Sequence, residues 1–566
     1  MNLLLPWLIL IPLLGGLVLL IGRRGTLTDA HGERIAMLVS LVALILSLVL
    51  VVQVSGIPGA PANATAAAAD GISSSEPTIT PRLEYAPEWL RLRLPASATL
   101  TEDGWQLRLG LDGIGAIMVL LTTLVTSCVL VLAKSTVSHN RSDFAAWLLI
   151  ASGCMLLVFM SMDLLLFYIG FELVLIPLFV LIACWGDGGA TWAAKRFVLY
   201  TLAGSIPMVL ALLGISSLYA GTNDWQIGFA ELSKRAAFSA GMPDQLAGQT
   251  WIFWLLVLGL GIKTAVLPLH TWLPSTYGAS HPTCSAFLAA VVLKLGLFGF
   301  LRLALPLVPS ACAAYGPIVL GSLGAVAIVY GALAALAQKD LRLLMAYSSL
   351  SHVGFITLGM FALNTEGITG ATLQMFNHGL TTAAMFLLVA CLIVRRGSAR
   401  WDEGSRGVAG HFPLLAFFLV FFVVAGAGTP GLNNFVGELL ALISMINLYP
   451  ILTAVGSLGI VLGAWYAFRL TQNVLFGQYE ADKRIASSTT LVSEDLAVGP
   501  KAVFFAMAII SLAIGVFPMK AIHVFRADAE RIAAVNDKAD KSLDGPMKVG
   551  QQSLGEPRID QQASAR

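Results

Sequence analysis

Residues 251–268 read WIFWLLVLGLGIKTAVLP, and 269–280 continue as LHTWLPSTYGAS. The first stretch is nearly long enough to cross a bilayer, which takes about 20 apolar residues. It carries one charge, Lys263, near its end and stops at Pro268. Proline has no N–H and clashes with the preceding helical turn, so a helix breaks there. A lysine at mid-depth costs roughly 2.5–3.5 kcal/mol on insertion scales and must face protein or water. A broken membrane helix with a cation beside the break therefore needs other helices around it.

The rest of the chain supplies them. Of 566 residues, 57% are hydrophobic and only 12% are charged, about half the charge of a soluble protein. Mean hydropathy is +0.82. A water-soluble enzyme and a disordered chain are both excluded. The 34 Lys and Arg against 32 Asp and Glu leave +2, so bulk charge does not point to nucleic acid. Cys128, Cys154, Cys184, Cys284, Cys312 and Cys391 lie in or beside apolar runs without CxxC spacing. They read as inert thiols, not as a disulfide framework or metal site.

Apolar runs predict an all-α polytopic membrane protein of about fourteen spans. Residues 1–54 hold the first two; Arg23 and Arg24 follow the first run instead of preceding it, unlike a signal peptide. Residues 55–111, with GAPANATAAAADGISSSEPT at 59–78, read as a partly disordered outer loop. Residues 112–522 form the core, and 523–566 a polar, flexible tail with no long amphipathic helix. The run 412–446 is too long for one span and is interrupted by Gly426, Gly428, Pro430 and Gly431, a second broken helix. Lys and Arg concentrate in the connections after odd-numbered spans, for example Lys195, Arg196, Lys339, Arg342, Arg395 and Arg396. Those connections are expected on the cytoplasmic side, with both termini outside.

Six ionisable residues fall inside spans at similar depth: Glu172, Lys263, Lys294, His352, His378 and Glu438. Packed together they would form a polar line in the membrane plane. Each has a plainer account: a lone intramembrane histidine is often a helix-to-helix hydrogen bond, and a Glu/Lys pair can be structural. Asp163, Arg302, Lys339, Asp340 and Arg342 lie near span ends, where anchoring and topology suffice for Arg302 and Arg342. His270 and His281 bracket the Trp-Leu-Pro segment; they either line an entry path or cap the broken helix, and the cap is the favoured reading. Burial and opposite charge shift Lys and Glu in opposing senses. Moving Glu172 relative to Lys263 would therefore load and release a proton, and imidazoles pass protons through either nitrogen. The hydroxyls of Tyr347, Ser348, Ser349, Ser351, Thr381 and Thr382 are placed to carry water between them.

Four stretches carry a family resemblance: LPLHTWLP (267–274), AQKDLRLLMAYSSLSHVGF (337–355), QMFNHGL (374–380) and GTPGLNNFVGELL (428–440). From about Asp112 to Phe517 the chain resembles the antiporter-like, proton-translocating membrane subunits of respiratory complex I (NADH-quinone oxidoreductase), and within them the subunit M branch. The resemblance implies fourteen helices, two inverted five-helix repeats (spans 4–8 and 9–13), and discontinuous spans 7 and 12. It implies proton-transfer roles for Glu172, Lys263, Lys294, His352, His378 and Glu438. The related subunits L and N usually carry Lys where this chain has Glu438. It further implies that no cofactor sits in this chain, with NADH, FMN, iron–sulfur clusters and quinone held by partner subunits. Subunits L and N would flank it in a bacterial inner membrane. Protons would arrive from the cytoplasm near Lys263 and Lys294, cross through His352 and His378, and leave by Glu438. The segment WLPSTYGASHPT (272–283) departs from the family's WLPDAH pattern at Ser275 and Tyr277. The alternatives are a subunit of a Mrp-type cation/proton antiporter or membrane-bound hydrogenase, and a purely structural spacer.

Overall fold

The computed structural model describes residues 3–22, 28–57, 78–87, 91–92, 105–220, 227–240, 245–401, 407–476 and 495–552. Expectations resting on Arg23, Arg24 and most of 55–111 lie outside these residues. The helices are α1 (Leu4–Gly22), α2 (Asp29–Gly56), α3 (Gly113–Thr136), α4 (Arg141–Met160), α5 (Leu164–Trp185), α6 (Ala190–Leu218) and a short α7 (Phe229–Ser239). They continue as α8 (Gln245–Thr264), α9 (Trp272–Ala279), α10 (Pro282–Leu307), α11 (Pro309–Ala337), α12 (Leu341–Met360) and α13 (Thr365–Arg396). The last are α14 (Pro413–Gly426), α15 (Asn433–Ile446), α16 (Pro450–Leu475), α17 (Val498–Val516) and α18 (Pro518–Gln552). Among the described residues thirteen helices are long and apolar enough to cross a membrane, and α14 and α15 are shorter apolar helices.

Burial orders the bundle. The apolar window of α10 is wholly enclosed and those of α12 and α13 are 89% enclosed, against 28% for α2 and α17. The first group forms the interior, and α2 and α17 present Val52, Ile509 and similar side chains outward. In lipid, helices associate through close packing of small residues. A Cβ on Gly331 would stand 2.6 Å from the Ser351 nitrogen, and one on Gly354 2.7 Å from the Gly324 carbonyl. These approaches lock α11 against α12 and fix His352.

Several span-end charges are N-caps. Asp163 accepts from the Leu166 N–H at 2.7 Å and Asp340 from the Arg342 N–H at 2.8 Å. His281 caps α10, the helix after the broken one, by accepting from the Thr283 N–H at 3.2 Å. His270 does not cap α9; its ring lies edge-on to Tyr330. Both expected breaks are present. Between α8 and α9 the chain turns through residues 265–271, and the Trp272 indole donates to the Ile262 carbonyl at 2.8 Å. Between α14 and α15, Gly428 and Gly431 take φ of 69° and 88°, a region glycine enters without steric cost.

Two expectations are corrected. The C-terminal segment is not a flexible tail: through its described side chains α18 is docked, with Phe525, Asp528, Ala529 and Asn536 buried. Its alternation of Lys, Asp and Ala hid an amphipathic face in a stretch of low mean hydropathy. Arg302 is not an interfacial anchor. It is 4% exposed and grips Asp112, the N-cap of α3, through two bonds of 2.7 and 3.1 Å. Asp528 extends this cluster. It accepts from the Gly113 N–H at 2.8 Å and from Arg82 at 3.3 Å. Arg82 precedes β1 (Leu83–Tyr85), which pairs antiparallel with β4 (Leu109–Leu111), so α18 straps this strand pair to the helical core. A second two-stranded ribbon joins β2 (Arg91–Leu92) to β3 (Trp105–Gln106).

Burial drives the Asp112 carboxyl upward, but Arg302 outweighs it and the net displacement is downward. Burial, then the negative Asp112, push Asp528 up to about 6. A carboxyl protonated more easily when docked favours docking at low pH. The gain is complete below about pH 4 and is lost as pH rises through about 6. Intrinsic-rate-corrected amide exchange in α18 of the assembled protein should be about four-fold slower at about pH 5.5 than at about pH 7.5. Asp528→Asn, which keeps an acceptor for Gly113, should abolish that difference. Equal exchange at both pH values in the unaltered protein would contradict the assignment.

Candidate functional site

The interior polar groups fall into two clusters. The first joins α5, α6 and α8. Pro177 offers no N–H to the Leu173 carbonyl, and α5 is interrupted at Val174, two residues after Glu172. Half-buried Glu172 accepts from the Ser205 hydroxyl of α6 at 2.5 Å. Lys263, near the end of α8, is buried and donates to the Phe171 carbonyl at 2.5 Å. Its ammonium also sits 3.7 Å from the centre of the Phe171 ring, a cation–π contact. No carboxylate–ammonium contact joins Glu172 to Lys263; the lysine is held by the residue before the glutamate. The two are held by separate partners, not locked as a pair.

The second cluster joins α10, α12, α13 and α15. A π-type turn at Leu288–Val292 widens α10 just ahead of Lys294, a feature common where helices carry function. Lys294 donates to the Ala289 carbonyl at 2.8 Å and meets His378 Nδ1 at 2.7 Å. The rings of His378 and His352 are 5.0 Å apart between centres. His352 Nδ1 lies 2.9 Å from Glu438 Oε1, an ion-pair distance, though the oxygen is not aligned for a hydrogen bond. Gln374 donates to the same oxygen at 3.0 Å. Lys294, His378, His352 and Glu438 thus form one buried file across four helices.

Of the six expected residues, four stand together and two form a separate neighbourhood. No direct contact joins Lys263 to Lys294 among the described residues. α8 and α10 touch instead at Gly296, where a Cβ would lie 2.1 Å from the Thr264 hydroxyl oxygen. The two departures at 275 and 277 differ in kind. Ser275 donates to the Trp272 carbonyl at 2.8 Å, whereas the buried Tyr277 hydroxyl has no partner and its ring packs edge-on to Phe386.

Sequence reasoning missed the neutral partners. Asn377 and Asn433 exchange side-chain bonds to each other's carbonyls at 2.6 and 3.0 Å. Ser511 of α17 donates to Asn433 Oδ1 at 2.6 Å. These bonds tie the broken α14–α15 segment to α13. The available signal was adjacency: Gln374 and Asn377 stand within a turn of His378, and Asn433 within two turns of Glu438. Gly428 sits against the carboxylate itself, where a Cβ would lie 2.4 Å from Glu438 Oε2.

Gly428→Ala should therefore destabilise the protein by about 1 kcal/mol or more, because its φ is positive, and push Glu438 off Gln374. Thermal unfolding of the purified assembly reads the first effect and a structure of the variant the second. An unchanged midpoint with Glu438 in place would contradict this.

The family model described as NADH:quinone oxidoreductase/Mrp antiporter, TM, matches residues 161–463. NADH-quinone oxidoreductase subunit M of Rickettsia bellii (strain RML369-C) is 32% identical over 433 residues, 76% of this chain and 84% of that protein. NADH-ubiquinone oxidoreductase chain 4 of Chondrus crispus is 39% identical over 375 residues, covering 65% and 72%. A chain of respiratory complex I from Thermus thermophilus with bound NADH superposes with a TM-score of 0.76 at 28% identity, covering 94% of this chain and 99% of that one. A chain of the Mrp complex from Dietzia sp. DQ12-45-1b shares the fold at a TM-score of 0.73 and 18% identity.

Proposed function

The chain belongs to the NADH:quinone oxidoreductase/Mrp antiporter transmembrane family, and from that premise we propose that it is the subunit M-type, proton-translocating member of the membrane arm of an NADH:quinone oxidoreductase. The observation that carries the reading is the buried file Lys294–His378–His352–Glu438. A base, two imidazoles and an acid in sequence across four helices accept, relay and release a proton in the membrane plane. Purely structural packing would not need titratable groups at each step, given what each costs in lipid.

Glu172 and Lys263 act as the loading end. With the carboxylate held by Ser205 and the ammonium by the Phe171 carbonyl, rotation of Glu172 toward Lys263 stabilises the charged lysine. Rotation back releases its proton. Moving one charge against 100 mV costs about 2.3 kcal/mol, and a swing of about two pKa units supplies about 2.7 kcal/mol. One proton per cycle is within that scale. The connection from Lys263 to Lys294 passes through water, since the two share no hydrogen-bond partner among the described residues.

NADH oxidation and quinone reduction take place in partner subunits that hold FMN and iron–sulfur clusters. Subunits L and N lie on either side of this one. Spans 4–8 and 9–13 are inverted repeats. The ends bearing Lys195, Arg196, Lys339, Arg342, Arg395 and Arg396 face the cytoplasm, and both termini face outward, in a bacterial inner membrane.

Reconstituted enzyme carrying Glu172→Gln should assemble normally and lose at least about ten-fold in both proton pumping and coupled quinone reduction, roughly the contribution of one positioned proton-transfer group. Lys263→Ala should behave alike. Normal pumping by Glu172→Gln in an assembled enzyme would reduce the chain to a spacer.

A further inference from the structure

A small cavity beside His352 is not used by the file described above. It lies among α12, α13, α14, α15 and α16 and leaves about 20 Å³ accessible to the centre of a water molecule. A cavity needs roughly 10–15 Å³ by that measure, and polar walls, to hold one. Its polar walls are Ser348, His352, Thr381, Thr382, Asn434 and Tyr466. Ser348 and Tyr466 join hydroxyls across α12 and α16 at 2.9 Å.

Asn434 gives the cavity its meaning. It is fully buried, and neither its carboxamide oxygen nor its nitrogen has a protein partner. A primary amide carries two donors and an acceptor, and burying one unpaired costs several kcal/mol in an apolar medium. Its neighbour Asn433 is paired on both atoms, so the bare amide is not a general looseness of this helix end. Asn434 faces a space of water size with other polar groups around it.

The cavity also has a direction. Its α12 residues run from Leu344 to His352, on the side of His352 toward Arg342. Its α13 residues reach Met385, toward Arg395, and its α16 residues run from Tyr466 to Leu470, toward the end of that helix. Glu438 lies one turn beyond Asn434 in the opposite sense.

We propose that this cavity is a water-holding arm that connects the His352–Glu438 pair to the membrane side bearing Arg342 and Arg395, with Asn434 and the Ser348–Tyr466 pair holding and orienting the water. The inference rests on the proton-translocation reading and adds an inlet to it. Under that reading alone the Glu438 end is loaded only sideways, from Lys294. With the arm it exchanges protons with the arginine-bearing face directly. Each step is a plain proton hop: the water gives a proton to His352, one O–H bond breaking as one N–H bond forms. A second O–H donor in the arm restores the proton to the water, so nothing is consumed.

The test uses the assembled enzyme in proteoliposomes. Asn434→Leu keeps the branched shape of the side chain and removes its hydrogen-bonding groups, and Asn434→Ser restores a hydroxyl in a smaller side chain. Asn434→Leu should lower pumping and coupled quinone reduction at least about ten-fold, and Asn434→Ser should recover a rate several-fold above Asn434→Leu. Pumping by Asn434→Leu at the unaltered rate overturns the proposal. So does an equal loss in both variants, because the amide would then be structural. If Asn434→Leu fails to assemble, a high-resolution map of the unaltered complex decides: ordered water bonded to Asn434 supports the arm, and an empty cavity overturns it. Glu172→Gln run in parallel separates the two levels. Loss there with normal Asn434→Leu removes only the arm, and normal pumping in both removes the translocation reading itself.

Discussion

A polar group in the hydrocarbon of a bilayer has no water to fall back on, and leaving it unpaired costs several kcal/mol. Broken helices and titratable side chains therefore survive only where protein encloses them. That constraint explains why α10, α12 and α13, which carry Lys294, His352 and His378, are the most enclosed helices. It also explains the supporting bonds. The Ala289 and Phe171 carbonyls take the lysine ammonium groups, and Gln374 takes the Glu438 carboxylate. Each charge is held by a neutral dipole instead of a permanent opposite charge. A group paired that way keeps the ability to gain or lose a proton, which a tight ion pair would suppress.

The charges around Asp112 are arranged differently. Asp112 and Arg302 form a two-bond pair that fixes α3 to α10, and Asp528 and Arg82 extend it to the hairpin and α18. There the charges are matched and serve to hold elements together. In the file basic groups adjoin one another, Lys294 against His378 and His378 against His352, and the carboxylate Glu438 stands at one end.

Much of this was legible in the sequence. The apolar runs located every span, and Pro268 and the Gly426–Gly431 interruption located both broken helices. Lys294, His352, His378 and Glu438 stood out because charge in an apolar run is costly wherever it occurs. What stayed hidden has a common cause. Asn433, Asn434, Gln374 and Ser205 are neutral, and their meaning depends on which helices meet, information that hydropathy does not carry. Arg302 was read as an anchor because its partner Asp112 lies 190 residues away. α18 stays hidden in the sequence because its buried face, which includes Phe525, Ala529 and Ile532, is interrupted by the very polar groups, Asp528 and Asn536, that lie buried in it.

The central claim is that a proton crosses this subunit sideways through His378, the link between Lys294 and His352. The most direct measurement is the number of protons pumped per electron pair by reconstituted enzyme carrying His378→Leu, with assembly verified. The account predicts a lower ratio, or a matching collapse of pumping and quinone reduction together. An unchanged ratio at an unchanged rate would contradict it.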